Sequence, residues 1–185
     1  LTYGPFRVLG GMVFSLGLIL VVIGGAELFT GNALIVMAWV DGQVSTAALL
    51  RNWAIVWCGN LAGALLIAAA LSQTSLISGG FGATAAKIAS GKMALAPLDI
   101  FVRAILCNAL VCLAVWLSFA ATDVTGKILS LILPVAAFVA LGLEHSIANM
   151  FLLPLGLMAG ADGSAALAAQ NILIATAGNI LGGAG

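Results

Sequence analysis

Gly25-Ala26-Glu27-Leu28-Phe29-Thr30-Gly31-Asn32 and Gly142-Leu143-Glu144-His145-Ser146-Ile147-Ala148-Asn149 decide how this chain is read. Both follow the pattern G-x-E-x-x-x-x-N, they stand 117 residues apart, and each lies inside a long apolar run. A carboxylate in hydrocarbon is costly unless it is paired or wet, so each glutamate marks a candidate functional position. Downstream, Gly59-Asn60-Leu61-Ala62-Gly63 and Gly178-Asn179-Ile180-Leu181-Gly182 share the pattern G-N-x-x-G, following the two glutamates at nearly the same distance. Matched interruptions in corresponding apolar segments are the sequence mark of a transport protein built from internal repeats.

The composition agrees with that reading. Hydrophobic residues make up 63% of the chain and charged residues only 6%, against roughly 25% charged in a soluble domain. The chain is therefore expected to be an all-α integral membrane protein. Its 23 glycines suit helices that approach closely where lipid offers no hydrophobic drive for association. The formal charge is zero and the basic residues form no run, which argues against nucleic acid as a partner. Cys58, Cys107 and Cys112 lie in apolar stretches without ligand spacing, so they are expected to pack rather than bind metal. No phosphate loop is present, since Gly91-Lys92 lacks the upstream glycine and the following Ser/Thr. A single histidine cannot make a bis-histidine haem site, and no cofactor is expected.

A spanning helix needs about 20 apolar residues. On that basis the first helix runs from near Arg7 to about Ala26, breaks over Glu27–Asn32 and resumes over Ala33–Val40. The second covers Thr46–Leu71. A Gly/Ser-rich connection follows from Ser72 to Ala96, with a short amphipathic stretch at Thr84–Ala89. Pro97 opens a third helix to about Ala121, in the position where its missing N–H costs nothing. The fourth runs from Ile128 to Gly142, breaks over Glu144–Asn149 and continues toward Met158. The last begins near Ala165. The second unit thus has three helices, whereas the first lacks a counterpart to Pro97–Ala121. We expect a three-plus-three inverted repeat in one channel domain, with an incomplete first unit at 1–80 and a second at 97–185, so that this chain lacks the first helix and the end of the last. Arg7, Lys87, Lys92 and Arg103 would face one side of the membrane and Arg51 and Lys127 the other, a split that weakly names the first face cytoplasmic.

Broken helices free backbone groups that lipid cannot satisfy, so the breaks are expected to line a pathway. Half-helix N-termini at such breaks favour anions. His145 is the chain's only histidine, and imidazole can exchange a proton at ordinary pH. It reads either as a buried neutral residue that holds the loop or as a proton-exchanging group in the path. Glu27 and Glu144 share one repeat position, which favours anchoring of each loop through hydrogen bonds to freed backbone N–H groups. Thr30, Asn32, Asn60, Asn108, Asn149 and Asn179 are polar groups in apolar runs, each of which alone reads first as helix glue. By spacing alone, Phe14, Leu28 and Phe138 are plain packing residues.

The segments GGAELFTGNAL (24–34), CNALVCLAVW (107–116), GLEHSIANMF (142–151) and GNILGG (178–183) together closely resemble the formate/nitrite transporter family. The resemblance implies an aquaporin-like protomer with two broken helices, a homopentamer with one pore per protomer, and passage of small monovalent anions. Formate or nitrite comes first, with hydrosulfide, acetate or lactate as alternatives, in the inner (plasma) membrane. The resemblance also reverses the orientation that the charge split weakly names. It further implies that Phe14, Leu28 and Phe138 form hydrophobic constrictions and that Thr30, Asn108 and His145 form the polar group between them. Lys92 would be the anion-attracting vestibule lysine, with Asn149 and Asn179 as further polar positions of the pore region. Protons and membrane lipid complete the expected partners. Two other classes stand against this. A water or neutral-solute channel would carry paired N-P-A motifs, and none is present. An enzyme using Glu144 and His145 as an acid/base pair lacks a nucleophile or metal cluster to complete its site.

Overall fold

The apolar runs become helices, as the computed structural model shows for residues 3–185; Leu1 and Thr2, the first positions of the expected first unit, lie outside the described residues. Helix α1 is Tyr3–Gly24, followed after the first break by a 3-10 turn, Gly31–Leu34, and the short α2, Ile35–Val40. Then come α3 (Thr46–Ser72), a second 3-10 turn (Ser75–Ser78), α4 (Gly80–Met93), α5 (Pro97–Ala120), α6 (Val124–Leu141), α7 (Ser146–Met158) and α8 (Ala165–Ala184). Among the described residues, α1, α3, α5, α6 and α8 are long and apolar enough to cross a membrane. The chain is a multi-pass membrane protein. Apolar side chains such as Val13, Leu20, Leu66 and Leu133 stay exposed on the outside of the bundle.

The helix ends follow from local chemistry. Ser45, Asp123 and Ser164 cap α3, α6 and α8 by accepting the N–H of the third residue onward, which satisfies donors left free at every helix start. Pro97 opens α5.

Both breaks begin in the same way. Gly25 and Gly142 take φ of +70° and +72°, a left-handed conformation that glycine adopts without a Cβ penalty. The next residue then bonds back five positions, Ala26 N–H to Val21 and Leu143 N–H to Phe138, each at 3.0 Å. This is a Schellman closure, which satisfies the last carbonyls of α1 and α6. The leading glycine of each G-x-E motif is thus a helix stop.

Two expectations are corrected. The second break was placed over Glu144–Asn149, but it spans Gly142–His145 and the helix is already regular from Ser146, because His145 caps it. The Gly/Ser-rich connection holds a 14-residue helix, α4, rather than a stretch of six. Its small residues are not linker-like. Ala85 and Ala89 lie buried against α7, where a Cβ at Gly156 would come within 2.9 Å of the Ala85 carbonyl, the close approach small residues permit in lipid.

The tertiary arrangement brings the breaks together. Helix α5 packs most extensively on α8, and α1 on α6. Each unit's short half-helix is held by the other unit: α7 lies on α3, and the Gly31–Leu34 turn lies on α8 and α5. Trp57 Nε1 donates to Thr176 Oγ1 at 3.0 Å, and these two residues are spaced like Asn60 and Asn179, so corresponding points of the two units touch.

Candidate functional site

The G-N-x-x-G asparagines clamp the breaks. In the first, Asn60 Nδ2 donates to the Glu27 carbonyl at 3.1 Å while its Oδ1 accepts the Phe29 N–H at 3.0 Å. In the second, Asn179 Nδ2 donates to the Glu144 carbonyl at 3.0 Å while its Oδ1 accepts the Ser146 N–H at 2.8 Å. One amide thus bridges the carbonyl of residue i and the N–H of residue i+2 in both loops, groups that no helix ladder would otherwise satisfy. Asn179 Nδ2 also reaches the Ala104 carbonyl of α5 at 2.8 Å.

The carboxylates anchor through side chains instead of the expected backbone N–H groups. Glu27 accepts from Asn32 Nδ2, which also bonds Asn52 Oδ1 at 2.9 Å. Glu144 Oε2 accepts from Asn149 Nδ2 at 2.7 Å, and Asn149 bonds Asn171 Oδ1 at 2.7 Å. The asparagine clamps already hold the freed backbone, which leaves the carboxylates for the start of the next helix. Asn52 and Asn171 are not among the residues that the motifs single out, yet each lies eight residues before its clamp asparagine, and that recurrence is the signal that marks them.

Burial separates the two glutamates. Glu27 is exposed and lines a cavity of about 450 Å³ with Leu28, Asn32 and Phe119. Glu144 is 1% exposed, and Lys92 Nζ meets its Oε1 at 2.7 Å. Lys92, the expected vestibule cation, stands ion-paired in the last turn of α4. A buried carboxylate requires such a partner.

Between the breaks lie Thr30, Asn108 and His145, all buried. The Ala148 N–H donates to His145 Nδ1 at 3.1 Å, so Nδ1 carries no proton and the neutral ring holds its hydrogen on Nε2. Nε2 is 3.1 Å from Thr30 Oγ1 and donates to it. Thr30 then keeps its own hydroxyl hydrogen for another acceptor. Asn108 Nδ2 donates to the Thr30 carbonyl at 3.1 Å and to the Asn179 carbonyl at 2.7 Å, tying α5 to the first break and to α8, whose Asn179 side chain clamps the second. Its Oδ1 is buried and has no partner among the described residues. Phe138 stacks on the imidazole, with centroids 5.7 Å apart and planes at 19°. Phe14 meets Phe138 edge-on at 5.9 Å. Leu28 packs into the cluster around Leu18, Val111 and Phe138. Among the described residues, no group of three or more His, Cys, Asp and Glu side chains could hold a metal ion.

Apolar spanning helices followed by two breaks, with buried polar groups gathered at them, define a multi-pass transport protein. The family model described as "Formate/nitrite transporter" matches residues 2–185, and the chain belongs to the formate/nitrite transporter family, a family of transporters and not of enzymes. It is 43% identical over 159 residues to a formate channel (FocA) of Haemophilus influenzae, covering 84% of this chain and 56% of that protein. The chain thus spans little more than half of that relative's length. A probable formate transporter of Methanothermobacter thermautotrophicus is 40% identical, covering 98% of this chain and 72% of that one. A solved pentameric formate channel with formate bound superposes with a TM-score of 0.86 at 41% identity, covering 99% of this chain and 80% of that chain.

Proposed function

We propose that this chain belongs to a pH-dependent channel for small monovalent anions, formate first, working as a homopentamer in the inner membrane with one pore per protomer. Residues 1–80 and 97–185 are its two units. The observation that carries the reading is the 3.1 Å contact between Thr30 Oγ1 and His145 Nε2, where the two breaks meet in a buried interior beside the Phe14–Phe138 pair. The similarity to channels described as passing formate supports the choice of cargo; nitrite, hydrosulfide or a short monocarboxylate such as acetate or lactate would ask for the same charge and a similar size.

Desolvating a bare anion between apolar side chains is prohibitive without compensation. Phe14, Phe138 and Leu28 act as the constrictions, and the polar group between them supplies the compensation. The free Thr30 hydroxyl hydrogen donates to the passing anion, and the His145 Nε2–H that Thr30 accepts strengthens that donation. Asn108 Oδ1 stands as an acceptor for the O–H of the protonated acid, so donor and acceptor together suit a partly neutralised species. A second proton on His145 would fall on Nδ1, confront the Ala148 N–H and remove the cap of α7, which ties conduction to pH. Lys92 raises the local potential while it holds Glu144, and Asn149 and Asn179 keep the break in shape.

His145→Phe keeps an aromatic ring against Phe138 and removes both imidazole hydrogen bonds. In proteoliposomes loaded with formate, the variant is expected to assemble yet lose the pH dependence of flux. Unchanged pH dependence in an assembled variant would reject the role of His145. Water permeation without anion flux in the parent protein would favour a neutral-solute channel instead.

A further inference from the structure

Helix α6 ends at the second break, and two arginines from other helices converge on that end. Arg7 of α1 donates from Nη2 to the Val139 carbonyl at 2.9 Å and from Nε to the Ala140 carbonyl at 3.3 Å. Arg103 of α5 reaches the Gly142 carbonyl at 3.4 Å and is paired with Asp99 at 2.7 Å. Arg7 makes neither of the two carboxylate ion pairs found among the described residues. A charged side chain along a membrane helix is retained where it pairs with groups such as backbone carbonyls, and the C-terminal end of a helix carries the negative partial charge that suits it.

The placement of Arg7 couples it to the aperture. Arg7, Gly11 and Phe14 are spaced i, i+4, i+7 and share one face of α1. A Cβ at Gly11 would come within 2.7 Å of the Ala136 backbone, so α1 and α6 touch main chain to main chain one turn from the arginine. Phe14 then meets Phe138, whose carbonyl lies next to the two that Arg7 holds. A Cβ at Gly142 would come within 2.7 Å of Arg7 Nη2, so the guanidinium also fills the space over the helix stop. We infer that Arg7 is a specificity-determining positioning residue. Its two-pronged hold on the α6 terminus fixes the register of α1 against α6, and with it the width between Phe14 and Phe138. The guanidinium does this through its fork geometry, which a lysine cannot reproduce.

This inference rests on the reading of the Phe14–Phe138 pair as a constriction in an anion path. The test compares formate with lactate flux through the parent channel, Arg7→Met and Arg7→Lys in proteoliposomes, each checked for the oligomeric state of the parent. Both variants are expected to raise the lactate-to-formate flux ratio by about tenfold, the scale of discrimination a methylene-sized change in an apolar opening carries. A ratio unchanged in assembled Arg7→Met overturns the inference, as does an Arg7→Lys channel with the parent's ratio, which would make the charge and not the fork the active feature. If Arg7→Met does not assemble, Arg7→Lys alone decides. Absence of any anion flux in the parent channel would instead refute the function itself.

Discussion

The two clamp asparagines offer a perturbation with an internal control, because Asn60 and Asn179 perform the same bridging in breaks of different burial. Asn179→Ala strips the Glu144 carbonyl and the Ser146 N–H of their partners, and both belong to a loop in which no helix bond replaces them. The Ala104 carbonyl loses a second bond but keeps its place in the α5 ladder. A buried polar group left unpaired costs roughly 1–3 kcal/mol, so two cost roughly 2–6 kcal/mol. Asn60→Ala strips the equivalent groups, the Glu27 carbonyl and Phe29 N–H. The first of these bonds is exposed and the second part-buried, whereas both Asn179 bonds are fully buried, so water can take over in part and the net loss is about 0.5–1.5 kcal/mol per bond, about 1–3 kcal/mol in all. For a chain of this size, Asn179→Ala is expected to lower the melting midpoint of the detergent-solubilised protein by roughly 5–20 °C, and Asn60→Ala by about half as much. The reasoning is refuted if Asn60→Ala costs as much as Asn179→Ala. It is also refuted if both are silent, because the bridging amides would then not be what holds the loops.

Lys92→Met removes the partner of a carboxylate that is 1% exposed and is expected to cost roughly 3–5 kcal/mol, whereas Lys92→Met with Glu144→Gln should recover most of that in the same melting assay; equal losses would show that the pair is not coupled. Gly182→Ala should drive a methyl into the Ile105 backbone of α5 and prevent assembly on size-exclusion chromatography. Gly17→Ala meets no neighbouring atom within 4 Å and should leave the midpoint level or raise it, with a gain in stability of up to about 1 kcal/mol.

The sequence carried the helices well because apolar run length and stop signals are local properties. Helix α3 was expected at Thr46–Leu71 and is Thr46–Ser72, and α5 was expected to Ala121 and ends at Ala120. The first break was expected over Glu27–Asn32 and spans Gly25–Thr30, because Gly25 stops α1 and Asn32 already lies in the 3-10 turn. What a linear reading could not supply were partners distant along the chain. Lys92 and Glu144 are 52 residues apart, and nothing in either segment's pattern announces the pair. Helix α4 was underread because glycine, alanine and serine signal linkers in water, while against another helix in lipid the same residues signal contact. The carboxylates do not hold the freed backbone groups as expected, because an amide both donates and accepts and so bridges a carbonyl and an N–H at once, whereas an ionised carboxylate only accepts.

Leu28 and His145 occupy the same position of the repeated motif, three residues after the glycine that stops the preceding helix. In the second break that position is a helix N-cap, and the imidazole satisfies it by accepting the Ala148 N–H. Accepting there fixes the tautomer and aims Nε2–H at Thr30 across the interface. In the first break the matching leucine can accept nothing, and the chain resumes two residues later as a 3-10 turn whose N-cap residue, Thr30, gives no side-chain cap, its Asn32 carbonyl bonded by Trp53 Nε1 at 2.9 Å. The scaffold therefore repeats in the glycine, the glutamate and the asparagines, while the cap position does not. Under the proposed function, that single position per repeat would supply a proton-bearing group on one side, where capping requires an acceptor, and a hydrophobic seal on the other, where leucine stands.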